Sequence, residues 1–451
     1  MYRTIFALLC LASHSAAQAG ADDLMSLYQR AVLASPELNG SEYALEIAKA
    51  REDQSFGKLL PQISVIGNYS LNRFHSDRAN NGQPGTIDYP GTRASINLQQ
   101  PLFDLQAYLL MKSQQSLTSQ SEEELLAAHQ KLIADLIDRY MDALEAADKS
   151  QIISAELSAT EKQLERVQAM HARQLAMVTD LYELQARAET LRTNLIDSDN
   201  DARIALEKLR ELTGDAVTGI QPARLDAVQP PPEGSIDSWV RQVGHINPEL
   251  QALKHAVEAA RQNISAYRAG HLPTLQLQLS GVYSDTSYNN QQSPPFDVGT
   301  AAIQATVPLY EGGITSARVR EAEARKRLSE AQLEQKLREL EKLARAAYLD
   351  MATSPARSLA TDRQLAASEK SRDAMKKGYE LGVATIVDVL DAEKQLSEAR
   401  KVQRQARYRY FKARSTLFYQ TGRLIGVELA QLNQWLIPAI PATKTKPSLK
   451  L

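Results

Sequence analysis

The 451-residue chain contains a single cysteine, 2 Trp and 7 Phe, and no excess of either charge sign. Each shortage excludes something. Cys10 lies inside the N-terminal apolar run Ile5 to Ala12, so a chain that has lost this run has no cysteine at all. Disulfide frameworks and thiol chemistry are thereby excluded, and an oxidising periplasm is an acceptable home. Few aromatics beside abundant Ala, Leu, Gln, Glu, Lys and Arg describe a helix-rich chain with a thin core. With 52 Lys plus Arg against 54 Asp plus Glu, the net charge of -2 offers nothing to a nucleic acid. Beyond the N-terminal run no stretch reaches the roughly 18 apolar residues of a transmembrane helix. A closed β-barrel is then the remaining way across a membrane. No G-x-S-x-G, H-E-x-x-H or P-loop is present, and the histidines lack metal-ligand spacing. No enzymatic activity, cofactor or dedicated metal site is expected.

Met1-Tyr-Arg3, the apolar run and Ala17-Gln-Ala19 read as a signal peptide over residues 1–19, with the mature chain starting at Gly20. The length suggests several domains or a repeated architecture. Internal matches decide for the repeat. Ser35-Pro36-Glu37-Leu38 matches Asn247-Pro248-Glu249-Leu250, and Leu60-Pro61 matches Leu272-Pro273, both at an offset of 212. Gln100-Pro101-Leu102-Phe103 matches Val307-Pro308-Leu309-Tyr310 at 207, then Tyr140 matches Tyr348, and Thr213-Gly214 matches Thr421-Gly422, at 208. A unit of about 200 residues is too long for a solenoid repeat and reads as a duplicated domain. The first copy is 20–221 and the second 236–426, joined by the Pro-rich linker 222–235. An irregular, basic tail is expected over 427–451.

Within each copy the hydrophobic period changes. Asp22 to Phe56 and Asp237 to Ala269 read as helix. Strand hairpins follow at 62–103 and 274–310. Ile63, Val65, Tyr69 and Leu71 alternate with Gln62, Ser64, Asn68 and Ser70, and Leu275, Leu277 and Leu279 alternate with Gln276, Gln278 and Ser280. The connections His75 to Gly91 and Ser287 to Asp297 read as loops. Long helical patterns cover 104–212 and 314–421. Breaks are expected after Lys149 and at Ser354-Pro355, and stops at Gly214 and Gly422. Leu333, Leu337, Leu340, Ala344 and Ala347 form a heptad seam for lengthwise packing.

Four strands cannot close a barrel, whose natural minimum is about eight. Membrane strands in this chain therefore require several chains. Two give eight strands and a filled interior; three give twelve and room for water. The alternative is a soluble periplasmic coiled-coil adaptor or scaffold whose hairpins are small sheets.

Two acidic pairs stand at equivalent places. Asp388 and Asp391 in the second copy correspond to Asp180 and Glu183 in the first, and residues three apart share a helix face. With the leader, the duplication, the Pro-ended hairpins and Tyr379-Glu-Leu-Gly-Val-Ala-Thr-Ile-Val-Asp-Val-Leu-Asp391, the chain resembles the TolC-type outer-membrane efflux and type I secretion proteins over residues 20 to about 426. The resemblance implies a mainly α homotrimer with a twelve-stranded outer-membrane β-barrel, four strands per chain, continued by a long periplasmic coiled-coil α-barrel. It implies an exit duct of a Gram-negative bacterium, partnered by a periplasmic adaptor and an inner-membrane ABC or proton-driven transporter, and no catalysis. It places Asp388 and Asp391 at the periplasmic aperture, as a candidate cation site, and makes Tyr379, Thr179 and Asp180 links between coiled coils in the closed state. Where the family's known member has an arginine in this motif, this chain has Ala384, so one charged lock is missing.

Overall fold

The computed structural model describes residues 22–76, 85–223, 230–286 and 294–436. The expected leader, the middle of the linker, the centres of both strand connections and the chain after Leu436 lie outside the described residues. Thirteen elements are seen there. They are α1 (Leu24–Ala34), α2 (Pro36–Gly57), β1 (Gln62–Ser76), β2 (Gly85–Phe103), α3 (Leu105–Ala172), α4 (Val178–Thr213), α5 (Ile236–Ile246), α6 (Pro248–Ala269), β3 (Thr274–Thr286), β4 (Phe296–Thr306), α7 (Ile314–Glu380), α8 (Ile386–Gln420) and α9 (Gly426–Asn433).

Several helix boundaries differ from the expectation, each for a local reason. The single helices expected over Asp22 to Phe56 and Asp237 to Ala269 are each two, divided at the Ser-Pro and Asn-Pro anchors. A residue before proline is pushed out of the helical region, and its side chain then serves the next helix as N-cap. Ser35 Oγ accepts from the Leu38 amide at 3.3 Å, and Asn247 Oδ1 from that of Leu250 at 3.2 Å. The long helices run on where breaks were expected. α3 is continuous for 68 residues and α7 for 67, with Pro355 inside it. Around Pro355 the hydroxyls of Thr353 and Ser354 bond the carbonyls of Leu349 and Asp350, at 2.9 and 2.7 Å, so the helix continues through the position where a backbone donor is lost. The tail also begins differently: Gly426–Asn433 is helix rather than irregular, held because Leu429, Leu432 and Leu436 are buried.

Contacts divide the chain into two compact units. One comprises Asn39–Ala127 and His245–Glu339 and contains a four-stranded antiparallel sheet in the order β1-β2-β3-β4. Register places Ile63, Leu98, Leu279 and Ala301 in one cross-strand row, and Ser64, Asn97, Ser280 and Thr300 in the next. Alternation therefore extends across all four strands as one apolar and one polar face. The apolar face ends in charge where Arg73 and Asp88, directly opposed, make a bidentate pair at 2.7 and 2.9 Å. Much of the loop expected over His75 to Gly91 is strand, because β2 pairs with β1 back to Gly85. β3 joins only from Gly91, so Pro90 falls where β2 has one neighbour and its missing donor goes unclaimed. Beside the sheet, Ser113 and Thr118 of α3 bond the carbonyls of Ala259 and Ala48 at 3.0 and 3.4 Å, fastening closely packed helices through small residues.

The other unit comprises Met1–Leu38, Ala128–Gly244 and Leu340–Leu451. Its main core gathers Leu27, Leu136, Tyr140, Leu209, Trp239, Tyr410, Phe411 and Leu417. The equivalent tyrosines Tyr140 and Tyr348 each donate to a connecting segment, the carbonyls of Gln221 at 2.8 Å and Gly234 at 2.9 Å. A polar ladder joins α3 to α8: Tyr408 donates to Asp148 at 2.7 Å, while the Lys412 ammonium lies between Asp142 and Asp138. The start of α1 is pinned to the end of α9 by Asn433, which accepts from the Leu24 amide and donates to Asp23, both at 3.1 Å.

Candidate functional site

Both long helical pairs turn through the same backbone motif. After α3, Gln174 N donates to His171 O at 2.8 Å and Leu175 N to Met170 O at 2.9 Å; after α7, Gly382 N donates to Tyr379 O at 3.0 Å and Val383 N to Gly378 O at 2.9 Å. This is the Schellman end, with its left-handed residue at Gln174 (φ 60) and Gly382 (φ 74). The positions are 208 apart, so one turn is written with glycine and the other without. A side chain in that conformation costs about 1–2 kcal/mol, and Gln174 is the one non-glycine residue with positive φ among the described residues.

The helices that leave these turns start unequally. α4 begins at Met177, which offers no side-chain cap. α8 begins at Thr385 with a full capping box. Thr385 Oγ1 accepts from the Asp388 amide at 3.2 Å, and Asp388 Oδ2 accepts from the Thr385 amide at 2.8 Å and from its hydroxyl at 2.7 Å. These bonds hold the Asp388 carboxyl below the usual carboxylate range.

The two helical pairs, α3 with α4 and α7 with α8, meet through a small apolar cluster of Val167, Leu184, Ile386 and Val389. Tyr379 packs on its edge and donates to Asp180 Oδ2 at 3.0 Å, joining the end of α7 to the first turn of α4. Burial, and then this bond to a carboxylate, push the Tyr379 phenol up to about 12. Arg166 of α3 pairs with Glu380 of α7 at 3.3 Å, with both side chains about half exposed. A cleft of about 850 Å³ opens here, edged by Arg166, Met170, Asp180, Tyr379, Val383 and Asp388. With Ile386 and Val389 turned inward, Asp388 and Asp391 lie on the exposed side of α8.

The structure thus brings Tyr379 and Asp180 into direct contact and exposes Asp388 and Asp391. Thr179 is exposed in the first turn of α4, and no bond joins its hydroxyl to another described residue. Thr385, Gln174 and Arg166 are the residues that sequence reading passed over. Only Thr385 had a readable signal, the Thr-x-x-Asp spacing of a capping box. Ala384 supplies no charge, and the Arg166–Glu380 ion pair across α3 and α7 is an exposed pair of small energetic weight.

The profile of the outer membrane efflux protein family matches residues 27–215 and 239–423. This chain belongs to that family. It is 28% identical over 430 residues to the outer membrane protein TolC of Salmonella enteritidis, covering 94% of this chain and 86% of that one. It is likewise 28% identical over 463 residues to the proteases secretion protein PrtF of Dickeya chrysanthemi, covering 99% and 98%. Among solved structures, the outer membrane protein VceC of Vibrio cholerae superposes with a TM-score of 0.78 at 19% identity, covering 88% of this chain and 96% of that one, and so shares the fold. The efflux protein is therefore an outer-membrane channel protein of the efflux and type I secretion class, extending into the periplasm, and the soluble adaptor reading is set aside. Its family is one of transport rather than of enzymes.

Proposed function

We propose that three copies of the efflux protein close their sheets into one twelve-stranded barrel, polar faces inward, forming a water-filled duct shut at its periplasmic end by the tip of the helical unit. One observation carries this reading. The sheet is mainly apolar on one face and mainly polar on the other through all four strands, and β1 and β4 each leave an edge open. In hydrocarbon every open backbone group is costly. Twelve strands are the smallest closure by whole chains that leaves a lumen. The two halves, with matching element order, are read as copies of one ancestral unit. A periplasmic adaptor and an inner-membrane ABC or proton-driven transporter complete the machine, choice of cargo lies with the transporter, and the duct itself catalyses nothing.

At the gate, Asp391 and Asp388 are assigned to two axial rings, and Tyr379 to Asp180 is assigned as the closed-state link, with Thr179 beside it. The two aspartates differ in freedom. Asp391 is exposed, whereas Asp388 is held by Thr385. In planar bilayers Asp391→Asn is expected to lower the cation-to-anion permeability ratio several-fold at low salt. Three unit charges about 10 Å from a passing ion contribute about 1 kcal/mol together in water. Asp388→Asn is expected to lower it too and to fray the first turn of α8, seen as faster amide exchange at Asp388. Because its carboxyl titrates low, the Asp388 cap is fully present above the ordinary carboxylate range and is lost as pH falls through its lowered value. Selectivity unchanged in both variants would remove the aspartates from the duct axis.

A further inference from the structure

The polar face of the sheet is built mainly from Gln, Asn, Ser and Thr, interrupted by apolar residues such as Ile66, Val282 and Val298, and among the described residues it carries one charged side chain. That residue is Arg93 of β2. Register places it opposite Asn68 of β1 and Ser284 of β3, both on the polar face. Its side chain is exposed, and no hydrogen bond or ion pair joins the guanidinium to another described residue. The other charged strand residues, Arg73, Asp88, Asp285 and Asp297, all fall on the opposite face, where Arg73 and Asp88 neutralise each other. Arg93 is thus the only fixed charge that the described part of the polar face presents.

We infer that Arg93 is a selectivity residue of the barrel, forming a ring of three guanidinium groups that draws anions, and anionic cargo, into the lumen. The inference rests on the reading that the polar face lines the duct. Arg93 is the one charged side chain on its face among the described residues. Neutral neighbours leave its field uncompensated, and the low-dielectric barrel wall concentrates that field in the lumen. Its sign is opposite to that of the gate aspartates. The duct therefore discriminates by charge at two unlike places, and the solutes that gain from the barrel ring are those bearing carboxylate or phosphate groups, which guanidinium binds well.

The test is the reversal potential of the full-length channel in planar bilayers under a potassium chloride gradient. Arg93→Gln is expected to raise the cation-to-anion permeability ratio about twofold at about 0.1 M salt, and more at about 0.01 M, where screening is weaker. Arg93→Glu should raise it further, and Arg93→Lys should leave it near wild type. A second arm separates this inference from the reading beneath it. Ser95→Cys lies on the polar face and Ile96→Cys on the apolar face, and a charged water-soluble thiol reagent should change the current of the first and not of the second. If Cys at 95 responds while Arg93→Gln and Arg93→Glu leave the ratio unchanged, the lumen assignment stands and the selectivity role of Arg93 is overturned. If only Cys at 96 responds, the faces are reversed and both are overturned.

Discussion

Tyr379→Phe is expected to turn a mostly closed duct into a mostly open one. The change removes a single hydroxyl, the one that donates to Asp180 at 3.0 Å, and leaves the ring to pack against the Val167, Leu184, Ile386 and Val389 cluster. A hydrogen bond to a charged acceptor contributes about 1.5–3 kcal/mol net, and partial exposure of Tyr379 argues for the lower end. Three such links released together amount to about 4–5 kcal/mol, which is about a thousandfold in the ratio of open to closed states. Single-channel recording reads this directly as open probability. An unchanged open probability, with native circular dichroism, would show that the link does not hold the gate. The pH dependence has a definite sign. Since the phenol is pushed up to about 12 from 10.0, the link is at full strength below pH 10 and is lost as the pH rises toward 12. Across the neutral range its contribution is flat. Arg166→Ala should do far less, because an exposed ion pair is worth about 0–1 kcal/mol.

The converse experiment fixes the same two places covalently. A tyrosine and an aspartate that touch only at their side-chain tips keep their backbones further apart than the roughly 7 Å a disulfide accepts, so a direct disulfide at these positions is the wrong tool. A short bismaleimide bridging Tyr379→Cys and Asp180→Cys spans the gap. Before cross-linking this double variant lacks the link and should conduct freely. After cross-linking, export and conductance should fall to background, and a cleavable linker should restore both on cleavage. Cys10, the chain's single cysteine, falls in the expected leader, and replacing it as well leaves no competing thiol. Full export while mass spectrometry shows the bridge complete would mean that the gate opens without parting α7 from α4.

The fold was legible wherever a single period ran undisturbed. The strands could be read because alternation places Gln, Asn, Ser and Thr opposite Ile, Val and Leu, and the paired registers show the same two faces. Breaks were less legible, because proline and glycine signal a turn only when nothing offsets them. Pro355 is accommodated beside two hydroxyls, those of the residues just before it, which bond carbonyls one turn back, and the real turn at Gln174 has no glycine to announce it. At the turns, the motif pointed to the Tyr379–Asp180 contact that the structure contains. Arg166 was not readable, since its partner Glu380 lies 214 residues away and a single sequence carries no trace of that pairing. The helical start of the tail was missed because α9 is short, with a stability that comes from burial against the core rather than from its own eight residues.

The most direct test of the central claim is the mass of the intact assembly extracted from outer membranes in mild detergent. Four strands per chain, an apolar outer face and a polar inner face call for three chains, so a single species of three chain masses, dissociating on heating to one, is the predicted result. A monomer, a dimer with its filled eight-stranded interior, or recovery of the chain in the soluble periplasmic fraction would contradict it.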